Sequence, residues 1–207
     1  MNRSILIILS FLFINHGLLT AQNNETTQSH PKIGLSFSSL GENDVFRFEE
    51  LAGAASYDRD YFYTLGINYV HPLSKWLDVE TGLEYSNHHI IVWPNLPPDM
   101  DNAPRKADFS LINIPVTVRA NFLTYFFING GLFLDIDASL NSPIDSQTGI
   151  GALGGIAFNY DFKNGISAFV NPYTKIHSLV PTTDIQYHQR VWENGIRIGV
   201  TYELNMK

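Results

Sequence analysis

The side chains in this sequence best suited to holding a metal or moving a proton are a handful of histidines and one serine. His88 and His89 are adjacent, His177 and Ser178 are adjacent, and His188 follows further along. Imidazole is a common ligand for transition metals and the one side chain that ordinarily titrates near neutral pH. No HxxxH or HExxH spacing places two of these histidines on one element. No metal is therefore expected, and His88 and His177 are the candidates if folding brings separate segments together. A Ser–His pair oriented by an acid would activate a nucleophile. Consecutive residues of a strand point to opposite faces, so His177 and Ser178 should not pair directly. There is no GxSxG elbow, phosphate-cradling glycine loop or clustered carboxylate motif. The chain reads as neither an enzyme nor a cofactor binder.

A second set of ionisable residues is more regularly placed. Asp78, Glu80, Glu84, Asp135, Asp137 and Glu203, with Arg119, Lys175 and Arg197, all fall on the polar side of an alternating pattern. Charges held away from water must be paired. If that side faces inward, Asp78, Glu80 and Glu203 should meet Arg119 in one layer. Glu84, Asp135 and Asp137 should meet Lys175 and Arg197 in another.

The elements that must position these groups are eight segments of alternating polarity. The clearest is the last, where Ile196, Ile198, Val200, Tyr202 and Leu204 oppose Gly195, Arg197, Gly199, Thr201 and Glu203. The fourth sets Ile112, Ile114, Val116 and Val118 against Asn113, Pro115, Thr117 and Arg119. Period two over about ten residues is what a tilted strand needs to cross a bilayer. In the seventh segment Phe169 and Tyr173 fall on the polar side. Pro115 and Pro172 each remove a ladder donor, which predicts bulges there.

The connections alternate in length. Residues 71–75, 123–124 and 163–165 are short, and Asn164-Gly165 is a favoured tight-turn pair. Residues 41–59, 88–107, 138–148 and 178–193 are longer, and Trp93-Pro94-Asn95-Leu96-Pro97-Pro98 reads as a rigid turn or binding tip. Outer-membrane barrels have this asymmetry, with short periplasmic turns and longer outer loops. The predicted fold is all-β: an eight-stranded antiparallel up-and-down transmembrane barrel with periplasmic termini, four outer loops and three short turns.

Aromatic placement predicts which face is wet. Tyr61, Tyr63, Tyr85 and Trp192 end the apolar faces on the loop side. Tyr69, Phe122, Phe126, Tyr160, Phe162 and Tyr202 end them on the turn side. Two girdles around an aliphatic band suit the two membrane interfaces. A soluble, lipocalin-like ligand-binding barrel, with its apolar face inward, is the alternative.

Composition limits the rest. Arg3, the apolar run Ile5–Ile14 and small Ala21 read as a signal peptide over residues 1–21. Residues 22–30 then form a polar lead-in, and 31–207 a single barrel domain in the bacterial outer membrane. Without Arg3 the chain has 12 basic and 20 acidic residues, a net charge of −8. That balance argues against nucleic acid as a partner. The absence of cysteine excludes disulfides and thiolate metal sites.

The strand Leu111-Ile112-Asn113-Ile114-Pro115-Val116-Thr117-Val118-Arg119 is followed by a short turn and Phe126-Phe127-Ile128-Asn129-Gly130-Gly131-Leu132. This hairpin resembles the central hairpin of the PorT-like outer-membrane β-barrel domain family of Bacteroidetes. The resemblance extends loosely over the mature chain, although the ending Leu204-Asn205-Met206-Lys207 lacks such barrels' terminal aromatic residue. It implies an outer-membrane barrel in contact with lipid and with other envelope or secretion proteins, and it carries over no catalytic or binding motif. The expected role is a structural or accessory envelope component with a plugged polar interior. A loop-based surface binder and a narrow pore or lipid-acting barrel enzyme are the alternatives.

Overall fold

A computed structural model describes residues 30–204 apart from 50, 52, 54, 98 and 184. The predicted signal peptide and almost all of the lead-in lie outside the described residues. Eight strands follow in sequence: β1 (Lys32–Phe46), β2 (Ser56–Pro72), β3 (Leu77–Trp93), β4 (Arg105–Phe122), β5 (Phe126–Asp137), β6 (Gly149–Asp161), β7 (Ile166–Pro181) and β8 (Arg190–Glu203). Each pairs antiparallel with its sequence neighbours, and β1 with β8 closes the barrel. Closure satisfies every strand edge, which a wall in hydrocarbon requires.

The alternation sorts by environment as predicted. Leu35, Ile67, Leu83, Val116, Leu132, Ile156 and Val200 point outward and are exposed. Ser36, Asn68, Glu80, Thr117, Arg119, Asn171 and Arg197 are buried inside. This facing is opposite to that of a lipocalin-type barrel. The outward aromatics Tyr61, Tyr85 and Trp192 lie toward the loop end, and Tyr69, Phe126, Tyr160, Phe162 and Tyr202 toward the turn end, all well exposed. Tyr63 and Phe122 are half-buried. Large interior rings fit where the facing strand carries glycine. Phe133 pairs across from Gly151 and Phe169 across from Gly199, and a Cβ on either glycine would lie within 2.4 Å of the ring.

Three local expectations need correcting. First, the strands reach further into the loops than the alternation suggested, to 18 residues in β4. About 9–11 residues cross a bilayer, so the outer strand ends project beyond it. There the interior turns apolar: Ile90, Phe109, Leu111, Ile144 and Val191 form a buried core, with Val45, Tyr57, Val92 and Ala107 against it. Above the bilayer water surrounds the barrel, so ordinary inward burial takes over.

Second, Pro115 and Pro172 cause no bulges. Pro115 stays in register with Phe133 and Pro172 with Ile196. The missing donors instead leave gaps in the other ladders, at 82–83 opposite 114–115 and at 156–157 opposite 171–172. The register shifts lie elsewhere: in β1 after Ser38, in β2 between Arg59 and Phe62, and in β7 opposite Gly151.

Third, His177 and Ser178 do not point to opposite faces. Ser178 has a φ of 48°, and this left-handed residue breaks the alternation so that both side chains are buried inside.

Candidate functional site

The chemistry-bearing side chains converge on the barrel axis in three tiers. In the tier nearest the turns, Arg119 Nε donates to Glu80 Oε2 at 2.6 Å. Arg197 Nη1 and Nη2 reach the same carboxylate at 3.1 and 3.3 Å, and Asn68 Nδ2 adds a bond to Oε1 at 2.8 Å. The Arg119 guanidinium lies 4.5 Å from the Phe127 ring centroid and 5.3 Å from that of Phe169. One carboxylate therefore balances two guanidinium groups, and the aromatic faces take up the excess positive charge.

In the middle tier Lys175 Nζ donates to Glu84 Oε2 at 2.6 Å. Arg197 Nη1 also lies 3.7 Å from Glu84 Oε1, linking the two tiers.

The outermost tier holds the histidines. His177 Nδ1 faces the Asp135 carboxylate at 3.1 and 3.2 Å, and its Nε2 lies 3.4 Å from Glu193 Oε2. His88 Nε2 lies 3.5 Å from that same oxygen and 3.2 Å from Ser86 Oγ. Tyr173 donates its hydroxyl to Glu193 Oε1, and Asn113 donates to Asp135. The His88 ring stacks on Phe109 at 4.8 Å between centroids, with Phe62 at 5.8 Å. Ser178 donates its backbone N–H to Asp135 Oδ2 at 3.3 Å, and its Oγ pairs with His188 Nε2 at 3.1 Å.

The predicted charge layers therefore form in part. Glu80 meets Arg119, and Glu84 meets Lys175 and Arg197, as the strand directions required. Arg197 bridges both layers instead of belonging to the outer one. Asp135 meets His177, where a pairing with Lys175 or Arg197 was expected. Asp78 stays at the turn-side mouth, accepting from Asn121 at 2.7 Å. Glu203 lies 3.9 Å from His30. Asp137 accepts from the backbone N–H groups of Ser139 and Gln147 in the third loop. These three sit where the barrel opens and water competes for them.

Glu193, at the centre of the outer tier, belongs to β8 and not to the connection 178–193 that the sequence suggests. It is in phase with Gly195 and Arg197, so extending the alternation by one more pair would have found it. His88 and His177, the metal candidates, do come together. With Glu193 they offer one donor atom each, all within 4.8 Å of one another.

The Ser178–His188 pair lacks the third member of a hydrolytic triad. His188 Nδ1 has no hydrogen-bond partner among the described residues, and Ser178 is fully buried. Burial among the loops holds the His188 imidazole pKa below its ordinary value. The Asp145 carboxylate opposes that shift and Arg190 reinforces it.

Two cavities flank the tiers. One of about 260 Å³ opens at the turn end, lined by Lys32, Lys75, Asp78, Arg119, Asn121 and Asp161 among others. The other, about 490 Å³, lies among the outer loops beside Phe48, Ile185, Tyr187, His188 and Arg190.

Searches against protein-family models and against curated proteins return no match. Among solved structures, the chain is similar to the outer membrane protein AlkL, determined by solid-state NMR in lipid bilayers. The identity is 12%, the TM-score 0.54, and the match covers 90% of this chain and 96% of AlkL. The fold is that of an outer-membrane β-barrel. Outer membrane protein OprG from Pseudomonas aeruginosa also matches, at 16% identity and a TM-score of 0.46 over 86% of this chain and 97% of OprG. The translocator domain of the autotransporter NalP from Neisseria meningitidis matches at 11% identity and 0.37, over 97% of this chain and 96% of the domain.

Proposed function

We propose that this chain is a closed bacterial outer-membrane barrel, exported through a cleaved signal peptide and serving as a structural or accessory component of the envelope. The observation that carries this reading is the filled interior. From the turn end upward, the axis is crossed by Glu80–Arg119–Arg197, then Glu84–Lys175, then Asp135–His177–Glu193. The apolar core of Ile90, Phe109, Leu111, Ile144 and Val191 caps these tiers. Eight strands leave room for side chains and little else. The outward aliphatic band calls for lipid as its solvent, since such a surface in water promotes aggregation.

The resemblance of the β4–β5 hairpin to PorT-like barrels supports an accessory role beside protein secretion, with envelope or secretion proteins as partners and no catalysis by the barrel itself. Single-channel recording on the refolded protein tests closure. The expected trace is silent, and steady unit conductance would sink the closed-barrel reading. Co-purification from native membranes tests the accessory role, which a solitary barrel would count against. N-terminal sequencing of the membrane form should begin at Gln22.

A second reading, surface binding through the loops, is favoured by the outer cavity of about 490 Å³. The tip of the β3–β4 loop is also held in shape: Asn102 Oδ1 accepts from Leu96 N–H at 2.8 Å, and its Nδ2 donates to Leu96 O at 3.1 Å.

A further inference from the structure

We infer that His88, His177 and Glu193 form a binding site for a single divalent transition-metal ion, which ties β3, β7 and β8 together across the barrel axis. Two imidazoles and a carboxylate are a ligand set that zinc accepts, with a fourth position left for water or a hydroxyl.

The spacing fits. A tetrahedral ion with bonds of about 2.0–2.1 Å needs donors about 3.3 Å apart. Glu193 Oε2 stands 3.4 Å from His177 Nε2 and 3.5 Å from His88 Nε2. Only the two imidazoles need to approach each other, from within 4.8 Å. Ser86 Oγ, 3.2 Å from His88 Nε2, is a neighbouring oxygen for the fourth position.

One of the two imidazoles is oriented as metal ligands usually are, whereas His88 Nδ1 lies 3.4 Å from Asn43 Nδ2. Histidine ligands commonly donate their second ring N–H to a carboxylate, which fixes the tautomer and ring angle. Asp135 does this for His177: both of its oxygens lie within 3.2 Å of Nδ1. A neutral ring then turns its Nε2 lone pair on Glu193 Oε2, where either a metal ion between the two or a second ring proton satisfies both. Tyr173 occupies the other Glu193 oxygen and leaves Oε2 for the ion. The buried charges leave room for a cation. Among the described residues the buried carboxylates Glu80, Glu84, Asp135 and Glu193 outnumber Arg119, Lys175 and Arg197 by one.

One buried pair stands between the site and the outer cavity. His188 lines the outer cavity with Nδ1 unpartnered, and its Nε2 bonds to Ser178, the residue after His177.

The test titrates the folded, chelator-washed barrel in detergent micelles with Zn²⁺ and, separately, with Co²⁺ as a spectroscopic probe. One saturable equivalent is expected, with the Co²⁺ form showing the intense visible bands of a tetrahedral N/O site. Glu193→Gln and His177→Gln should each weaken binding by at least tenfold, whereas His89→Gln, an outward-facing neighbour, should leave it unchanged. Heat-modifiable gel mobility verifies that each variant is folded. If neither polar variant folds, His88→Phe, whose ring suits the slot between Phe62 and Phe109, takes their place. Absence of a saturable equivalent in the folded wild type, as for a site that holds only a proton, overturns the inference. So does unchanged binding in the folded variants. Conductance plays no part in this readout, so the closed-barrel proposal stands or falls separately.

Discussion

At the scale of single residues, Glu80 has the largest consequence. It is the shared partner of Arg119 and Arg197 and is fully buried. Removing one side of a buried ion pair strands the other charge, which typically costs about 3–5 kcal/mol. Glu80→Ala should therefore lower the unfolding free energy in micelles by about that much. Asp78→Asn, at the open mouth, should change it by no more than about 0.5 kcal/mol. Equal effects of the two substitutions in a urea titration would show that the interior network does not contribute to stability. His188 supplies a pH dependence. Its folded pKa lies below the ordinary histidine value because burial disfavours the charged ring. The folded state then binds fewer protons than the unfolded one, so this contribution is present above about pH 6.5 and is lost as pH falls below it. Asp145 and Arg190, the charged groups facing the ring, set how steep that loss is. His188→Gln should flatten the decline in melting temperature between pH 7 and 5 relative to wild type. Parallel profiles would rule out His188 as the group responsible.

At the scale of elements, legibility depended on solvent. Inside the bilayer the two faces of each strand meet lipid and packed side chains, so polarity alternates and the register can be read directly. The pairing of Glu84 with Lys175 follows from that alternation and from strand direction. Past the bilayer the rule inverts. Phe109 and Leu111 continue the inward phase of Asn113 and Thr117 but are apolar, so the pattern dissolves and the strands seem to end early. The bulges were invisible for another reason. The residues that take a left-handed φ there, Leu40 and Ser178, are not glycine or asparagine and give no local signal. Without the Ser178 bulge, the Ser178 side chain would point outward, away from His188, whereas His177 already continues the inward phase of Tyr173 and Lys175. Ser178→Ala loses one buried hydrogen bond and should cost about 1 kcal/mol. Ser178→Val also forces a β-branched residue to positive φ and should cost about 1–2 kcal/mol more. The ranking Ser, Ala, Val in urea midpoint checks the bulge, and a valine as stable as alanine would mean that β7 runs straight. On the outer face, Leu132→Arg puts a charge on the lipid side of β5 and should cost about 2–4 kcal/mol if that position lies near the midplane. An effect near zero would place Leu132 at an interface.

At the scale of the whole molecule, the loop asymmetry and the interior tiers make one topological statement. The turns at 73–76, 123–125 and 162–165 are too short to carry anything, and the core of Ile90, Phe109, Leu111, Ile144 and Val191 sits at the opposite end, with a smaller cluster of Phe127, Ala157 and Phe169 on the turn side. A barrel inserted from the periplasm sends its longer connections across, because the turns are the end that need not cross. The polar tiers then occupy bilayer depth, where lipid surrounds the wall, and the apolar cap lies outside, where water does. The reversed orientation would put the capped, water-adapted strand ends in the periplasm and leave the vestibule with Lys32, Lys75 and Asp161 facing outward. The two orientations differ in what a protease meets on intact cells. Cleavage should fall within residues 94–104 or 182–186, in the outer connections, and should leave two fragments that stay associated through the closed sheet. An epitope inserted after Asn164 should be detected only after the outer membrane is permeabilised. Detection of that epitope on intact cells, together with protection of residues 94–104, would reverse the topology and with it the assignment of the apolar cap to the outside.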